Sequence, residues 1–347
     1  MRNKPRRGAA TSALTEAVQK YAAIQDDLHA ATEAFVALIT LLLDDAGINY
    51  LSVTGRTKAV ASFAAKAERT VDGVPLYEDP LTQITDQVGV RVITYVHSDV
   101  AAVADLLADS FTVLADRDLG QVTASEGRFG YASRHVLVSL DQARNDTATY
   151  AALHDRAASV QIRTVLQHAW AEFEHDIRYK GTVPEEHASD LDRRFTLAAG
   201  LLELADREFS TIRDRLRVGH AAGERPGPDD SDPRIDAKDL ATFLGSQYAD
   251  AGWSRIDHYA WISGLVLELG ITSLDELAGL LSSIDSDGIN ARMSYKYPPG
   301  AVRRLDDALL AVFGNRYVSL QGNGHRQELL RTRLEKLRPD TVPEDRG

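Results

Sequence analysis

Apolar residues recur at helical spacing through residues 12–46, most densely at 34–43, and Gly47 supplies a stop. Residues 48–54 then alternate and are rich in β-branched types, which predicts a strand ending at Gly55. Residues 56–69 return to helical spacing. Further strands are predicted at 88–95, 111–114, 135–140 and 159–163, with a helix at 100–109 and a short one at 147–156. A polar, Gly-bearing loop is expected at 116–130. From Thr164 to about residue 219 the pattern is helical throughout. The expected fold class is α+β, a mixed sheet of about five strands flanked by helices.

Residues 219–233, GHAAGERPGPDDSDP, are dominated by Gly, Pro and acidic side chains and read as a linker. Beyond it, amphipathic helices are predicted near 236–249, 255–268, 273–282, 301–313 and 323–338, an all-α second domain. The expected organisation is a basic, flexible N-terminus at 1–19, an α+β domain at 20–218, a linker at 219–234 and a small helical domain at 235–340.

The net charge of −12 argues against a chain built to lie along DNA or an anionic membrane, so an anionic ligand needs a local basic cluster. Cysteine is absent, which excludes disulfides and thiolate metal sites and fits a reducing cytoplasm. The longest apolar run, 34–43, is far shorter than the roughly 20 residues a membrane helix requires.

Four constellations carry chemistry. Lys58, Ser62, Lys66 and Arg69 would fall on one face of a helix and, with Arg56, form a polyphosphate grip, although a solvated basic face has the same pattern. Asp86 precedes an apolar strand containing Arg91; a carboxylate there suits a divalent metal, and the arginine plane suits a purine. Gly130, Tyr131, Ala132, Ser133, Arg134 and His135 join the loop to a strand, with an aromatic face and two donors. Ser159, Gln161 and Arg163 alternate to one face of the last strand. In the helix that follows, His168, Glu172 and His175 recur at i, i+4 and i+7, a spacing that more often makes a hydrogen-bonded network than a metal site. The pairs His154-Asp155 and His175-Asp176 do not make an HD-type phosphohydrolase, because only His29 lies upstream of Asp86. Residues 283–288 lack the ligand pattern of a calcium loop and read as an acidic turn.

In this order the four segments resemble the synthetase domain of the RelA/SpoT family over about residues 20–215. GRTKAVASFAAKAER is similar to the family's ATP-binding stretch, DQVGVRV to its metal aspartate and adenine-stacking arginine, GYASRH to its guanine-stacking loop, and VQIRTVLQHAWAEFEHDIRYK to its signature strand and helix. The resemblance implies a GTP pyrophosphokinase of the stringent response. Such an enzyme transfers pyrophosphate from ATP to the 3′-hydroxyl of GDP or GTP with Mg²⁺, making (p)ppGpp and AMP. It also implies roles. Arg56, Lys58, Ser62, Lys66, Arg69 and Arg91 would bind ATP, and Asp86 would hold Mg²⁺. Tyr131, Arg134, His135 and His168 would bind the guanine nucleotide. Gln161 and Arg163 would line the reacting centre.

The family carries a glutamate, implicated in metal binding and hydroxyl activation, where this chain has Ser159. Serine supplies neither function, so a weak enzyme or a binding-only domain is an alternative; Asp155, Glu126 and Glu174 are possible substitutes. A toxin-type relative acting on the tRNA 3′ end is another. The short branch of the family implies a homo-oligomer. The C-terminal segment, with Trp253, Trp261 and basic Arg326, Arg331, Arg333, Lys336 and Arg338, is expected to be a packing domain rather than an RNA-binding one.

Overall fold

A computed structural model describes residues 7–119, 133–141, 148–180, 185–220 and 234–337. The chain divides into two compact units, Met1–Leu42 with Tyr50–Glu208, and Leu43–Asn49 with Phe209–Gly347.

The first unit opens with helices α1 (Arg7–Ala23) and α2 (Gln25–Ala46). Helix thus begins inside the segment expected to be a flexible terminus. Five strands build its main sheet: β1 (Ser52–Thr57), β4 (Val88–Thr94), β5 (Thr112–Asp118), β6 (Arg134–Ser139) and β7 (Ala157–Thr164). Their order is β1-β4-β7-β6-β5. Only β4 and β7 run parallel, and the other neighbours are antiparallel. A small hairpin of β2 (Thr70–Val71) and β3 (Val74–Pro75) and the short α4 (Pro80–Gln83) lie between β1 and β4.

The strands sort their side chains by parity. In β7, Ala158, Val160, Ile162 and Thr164 are buried, whereas Ala157, Ser159, Gln161 and Arg163 are partly exposed. Val90, Val92, Val136 and Val138 continue the buried face. Helix α5 (His97–Ser110), with Val100, Val103, Leu106 and Leu107 buried, packs against β4, β6 and β7. After β7 the chain enters α6 (Val165–Lys180) and α7 (Glu185–His220). Thr164 starts α6 by reciprocal capping: its hydroxyl accepts from the Gln167 N–H at 3.1 Å, and the Gln167 side chain accepts from the Thr164 N–H at 2.9 Å.

Two differences from the sequence reading bear on the site. Strand β1 runs past Gly55 to Thr57, because Gly55, Arg56 and Thr57 pair with Val90, Gly89 and Val88. Helix α3 therefore spans only Val60–Ala67. Strand β5 runs on to Asp118, because Arg117 and Asp118 pair with His135 and Arg134; the loop expected from 116 begins later. Gly55 is required by packing: a Cβ there would lie 2.6 Å from Thr32 Cγ2 and 2.7 Å from Val36 Cγ2 of α2.

The second unit is helical: α8 (Ala237–Gln247), α9 (Ile256–Glu268), α10 (Leu274–Ser282), α11 (Ser286–Met293), α12 (Ala301–Phe313), α13 (Asn315–Val318) and α14 (Gln327–Leu337). Leu240, Leu244, Ile262, Leu265, Leu305, Leu309, Tyr317 and Leu330 form its core. The acidic turn at 283–288 contains the N-cap of α11, where Asp285 accepts from the Gly288 N–H at 2.9 Å.

Within this core lies a charge network. Asp45, Asp306 and Asp307 meet Arg303, Arg326 and Arg333, and every side chain in it is almost wholly buried. Burial opposes charge at Asp45 and Asp306, yet the arginines hold both carboxyls below their ordinary range. The basic tail seen in the sequence is thereby divided: Arg326 and Arg333 face inward and are not part of a cationic surface.

Candidate functional site

The expected helical stripe of Lys58, Ser62, Lys66 and Arg69 is distributed over three local structures. Arg56 is exposed near the end of β1, Lys58 lies in the connection to α3, Ser62 and Lys66 are one turn apart on α3, and Arg69 lies beyond it. The connection is held firmly. The Lys58 N–H donates to Gln87 O at 2.9 Å, and the Tyr21 hydroxyl donates to Lys58 O at 2.7 Å. Tyr21 also stacks on Phe63 of α3, with ring centroids 3.9 Å apart.

Lys58 is only 6% exposed, so it is not a solvated surface lysine. Its Nζ lies 2.9 Å from Asp86 Oδ2, and Lys66 Nζ lies 3.0 Å from Asp86 Oδ1. Burial pushes the Asp86 carboxyl up, but the two ammonium groups outweigh it and hold the carboxyl below its ordinary range. Lys66 approaches Oδ1 off the hydrogen-bond direction, leaving a buried acceptor with an ion pair but no aligned hydrogen bond. The described residues contain no cluster of three or more His, Asp or Glu side chains suited to a metal. Mg²⁺ needs no such cage, because it binds through one or two carboxylates, waters and phosphate oxygens. A single under-coordinated carboxylate fits that requirement.

Register extends the site across the sheet. Arg117 of β5 is opposite His135 of β6, His135 is opposite Gln161 of β7, Gln161 is opposite Arg91 of β4, and Arg91 is opposite Thr54 of β1. The next row places Leu137, Ser159, Gly89 and Arg56 side by side. Gly89, between Ser159 and Arg56 in this row, has no side chain, and a Cβ there would lie 3.3 Å from the Arg56 carbonyl oxygen.

This face gathers positive charge: Arg56, Arg91, Arg117 and Arg163 share it. Burial and the neighbouring Arg91 lower the pKa of Arg163. Burial, Arg163 and Arg117 lower that of His135, and burial and Arg91 lower that of His168. Arg163 Nε is buried with no hydrogen-bond partner among the described residues. The carboxylate brought to these groups is Glu172 of α6, whose Oε1 lies 2.9 Å from Arg91 Nη1 and 3.7 Å from His168 Nδ1.

Asp86, Lys58 and Lys66 thus form one cluster, and His135, Gln161, Arg163, Arg91, Ser159 and Arg56 share one sheet face. Arg134 is not with them. It belongs to the opposite parity of β6, where Asp116 holds it through contacts of 3.0 and 2.7 Å. Tyr131 and Glu126 lie outside the described residues. The sequence reading missed Arg117, whose strand signal was hidden by the supposed loop, and the pairing of Glu172 with Arg91, which no spacing rule reveals.

Residues 55–183 match the family described as the region found in RelA/SpoT proteins. The GTP pyrophosphokinase YjbM of Bacillus subtilis is 32% identical over 177 residues, spanning 50% of this chain and 76% of that protein. Among solved structures, small alarmone synthetase 1 from B. subtilis bound to its product pppGpp is 26% identical, covering 57% of this chain and 99% of that one, with a TM-score of 0.45. A GTP pyrophosphokinase family protein from Streptococcus pneumoniae is 24% identical, covering 59% and 98%, with a TM-score of 0.45.

Proposed function

Since this chain belongs to the RelA/SpoT family, we propose that it transfers the β,γ-pyrophosphate of ATP to the 3′-hydroxyl of GDP or GTP, giving ppGpp or pppGpp and AMP. The observation that carries this reading is the Lys58–Asp86–Lys66 cluster beside a cationic sheet face in a chain of net charge −12. Two nucleotides bring many negative charges, and these side chains are the countercharges available to them.

Arg56, Lys58 and Lys66 grip the donor polyphosphate, with Ser62 and Arg69 at its margins. Asp86 would hold Mg²⁺, which would supply charge neutralisation at the transferred group. As the lysines turn to the polyphosphate, Asp86 is released from both ion pairs. Arg91 presents its plane to the adenine. His135, His168, Gln161 and Arg163 face the acceptor nucleotide, and Tyr131 offers an aromatic surface for its base. Ser159 cannot accept a proton from the attacking hydroxyl at neutral pH, which supports a slow enzyme. Pyrophosphorylation of a tRNA 3′ end is the reading to set against it, because the same chemistry needs only a different acceptor.

The test is AMP release from ATP and Mg²⁺ with GDP, GTP or deacylated tRNA as acceptor. Synthesis with GDP or GTP is the expected result. Synthesis with tRNA alone changes the acceptor, and binding of ATP with no transfer to any acceptor rejects the enzyme.

A further inference from the structure

Glu172 has no part in the roles above, yet it is the carboxylate in contact with Arg91. Arg91 also sits close enough to Arg163 to depress that residue's pKa. An arginine in this position has two uses. Its edge can donate hydrogen bonds to a phosphate, or its plane can stack on a base. With a like charge beside it, an unpaired Arg91 would take any anion offered. Glu172 holds Arg91 at Nη1, 2.9 Å from its Oε1; a carboxylate held at the edge of a guanidinium leaves the plane for stacking.

We propose that Glu172 is a positioning residue that commits Arg91 to stacking on the donor's purine instead of binding phosphate; this role rests on the ATP-dependent reading given above. Helix geometry sets up the arrangement. Thr164 caps α6, so His168 and Glu172, one turn apart, are directed to the same side of the helix. Glu172 reaches Arg91 on β4 by direct contact, and Arg91 lies close enough to His168 to help lower its pKa. Glu172 has a side chain 55% exposed, so replacing it removes an ion pair of small worth to the fold.

The experiment measures binding of two ligands by the full chain: the non-hydrolysable ATP analogue AMPCPP, which has a base, and inorganic tripolyphosphate, which has none. In Glu172→Gln, AMPCPP affinity is expected to fall by about 10-fold, the scale of a lost cation–π contact, while tripolyphosphate affinity stays level or rises. Glu172→Asp, which keeps the charge, is expected to recover most of the loss. Unchanged AMPCPP affinity in Glu172→Gln overturns the positioning role alone. Parallel loss of both ligands with an intact thermal transition also overturns it, because the effect would then not belong to the base. Failure of the unsubstituted protein to bind AMPCPP overturns the ATP-dependent function and this role with it.

Discussion

Lys58 and Asp86, 28 residues apart, are joined by a 2.9 Å ion pair in which the lysine is almost fully buried. The pair brings together a residue read as a phosphate ligand and one read as a metal ligand. Each neutralises the other, which avoids an unpaired buried charge.

Replacing Lys58 by alanine is therefore expected to do two things. ATP-analogue affinity should fall by about 10-fold or more, the loss of a charged hydrogen bond. The Asp86 carboxyl, with only Lys66 left beside it, should titrate at higher pH than in the parent. Calorimetry with AMPCPP checks the first and NMR of the carboxyl carbon the second.

Asp86→Asn preserves shape and removes the charge. Turnover should drop at least about tenfold, with the Mg²⁺ concentration for half-maximal rate moved upward. A titration of AMP release against Mg²⁺ is the measurement, and an unchanged curve would take Asp86 out of the site.

Position 159 is opposite Gly89 of β4, which is opposite Arg56 of β1. A glutamate introduced there restores a carboxylate to the sheet face that carries Gln161 and Arg163. Ser159→Glu should raise ppGpp synthesis by about 10-fold or more, within the usual contribution of a general base. A lower rate would mean that another carboxylate already serves and that the new one crowds it.

Gly55→Ala would force a methyl group into Thr32 and Val36, at an expected loss of about 1–3 kcal/mol of stability. Gly279→Ala, in α10 with no atom within 4 Å of the added Cβ, is the control and should be neutral or stabilising. Thermal melts of both variants make the comparison.

The buried network of the second unit predicts its acid behaviour. Asp45 and Asp306 are held below their ordinary value of 3.8. Their contribution is thus complete above that value and is lost as pH falls below it. Asp45→Asn leaves three buried arginines short of a countercharge, with an expected loss of about 3–5 kcal/mol. Circular dichroism against pH and temperature tests both statements.

Much of this protein was legible in its sequence because the signals are local. Parity in residues 157–164 separates the partly exposed Ser159, Gln161 and Arg163 from the buried valine and isoleucine. The order of the four motifs identifies the family, and the Gly, Pro and acidic run at 219–233 marks a change of composition. The sequence alone also shows serine at the position of the family's glutamate, a difference of chemistry that no fold can hide.

Tertiary structure decided what depends on pairing between distant segments. Hydrogen bonding to β4 carried β1 through Arg56 and dissolved the supposed helical stripe. Pairing with β6 turned Arg117 from a loop residue into a member of the cationic row. Asp116 drew Arg134 to the other face, and Glu172 reached Arg91 across 81 residues. The buried aspartates converted Arg326 and Arg333 from an apparent basic tail into core. In each case a charged side chain has no fixed place of its own in the sequence pattern. It goes where burial, register and countercharge together make its free energy lowest, and those are properties of the folded chain.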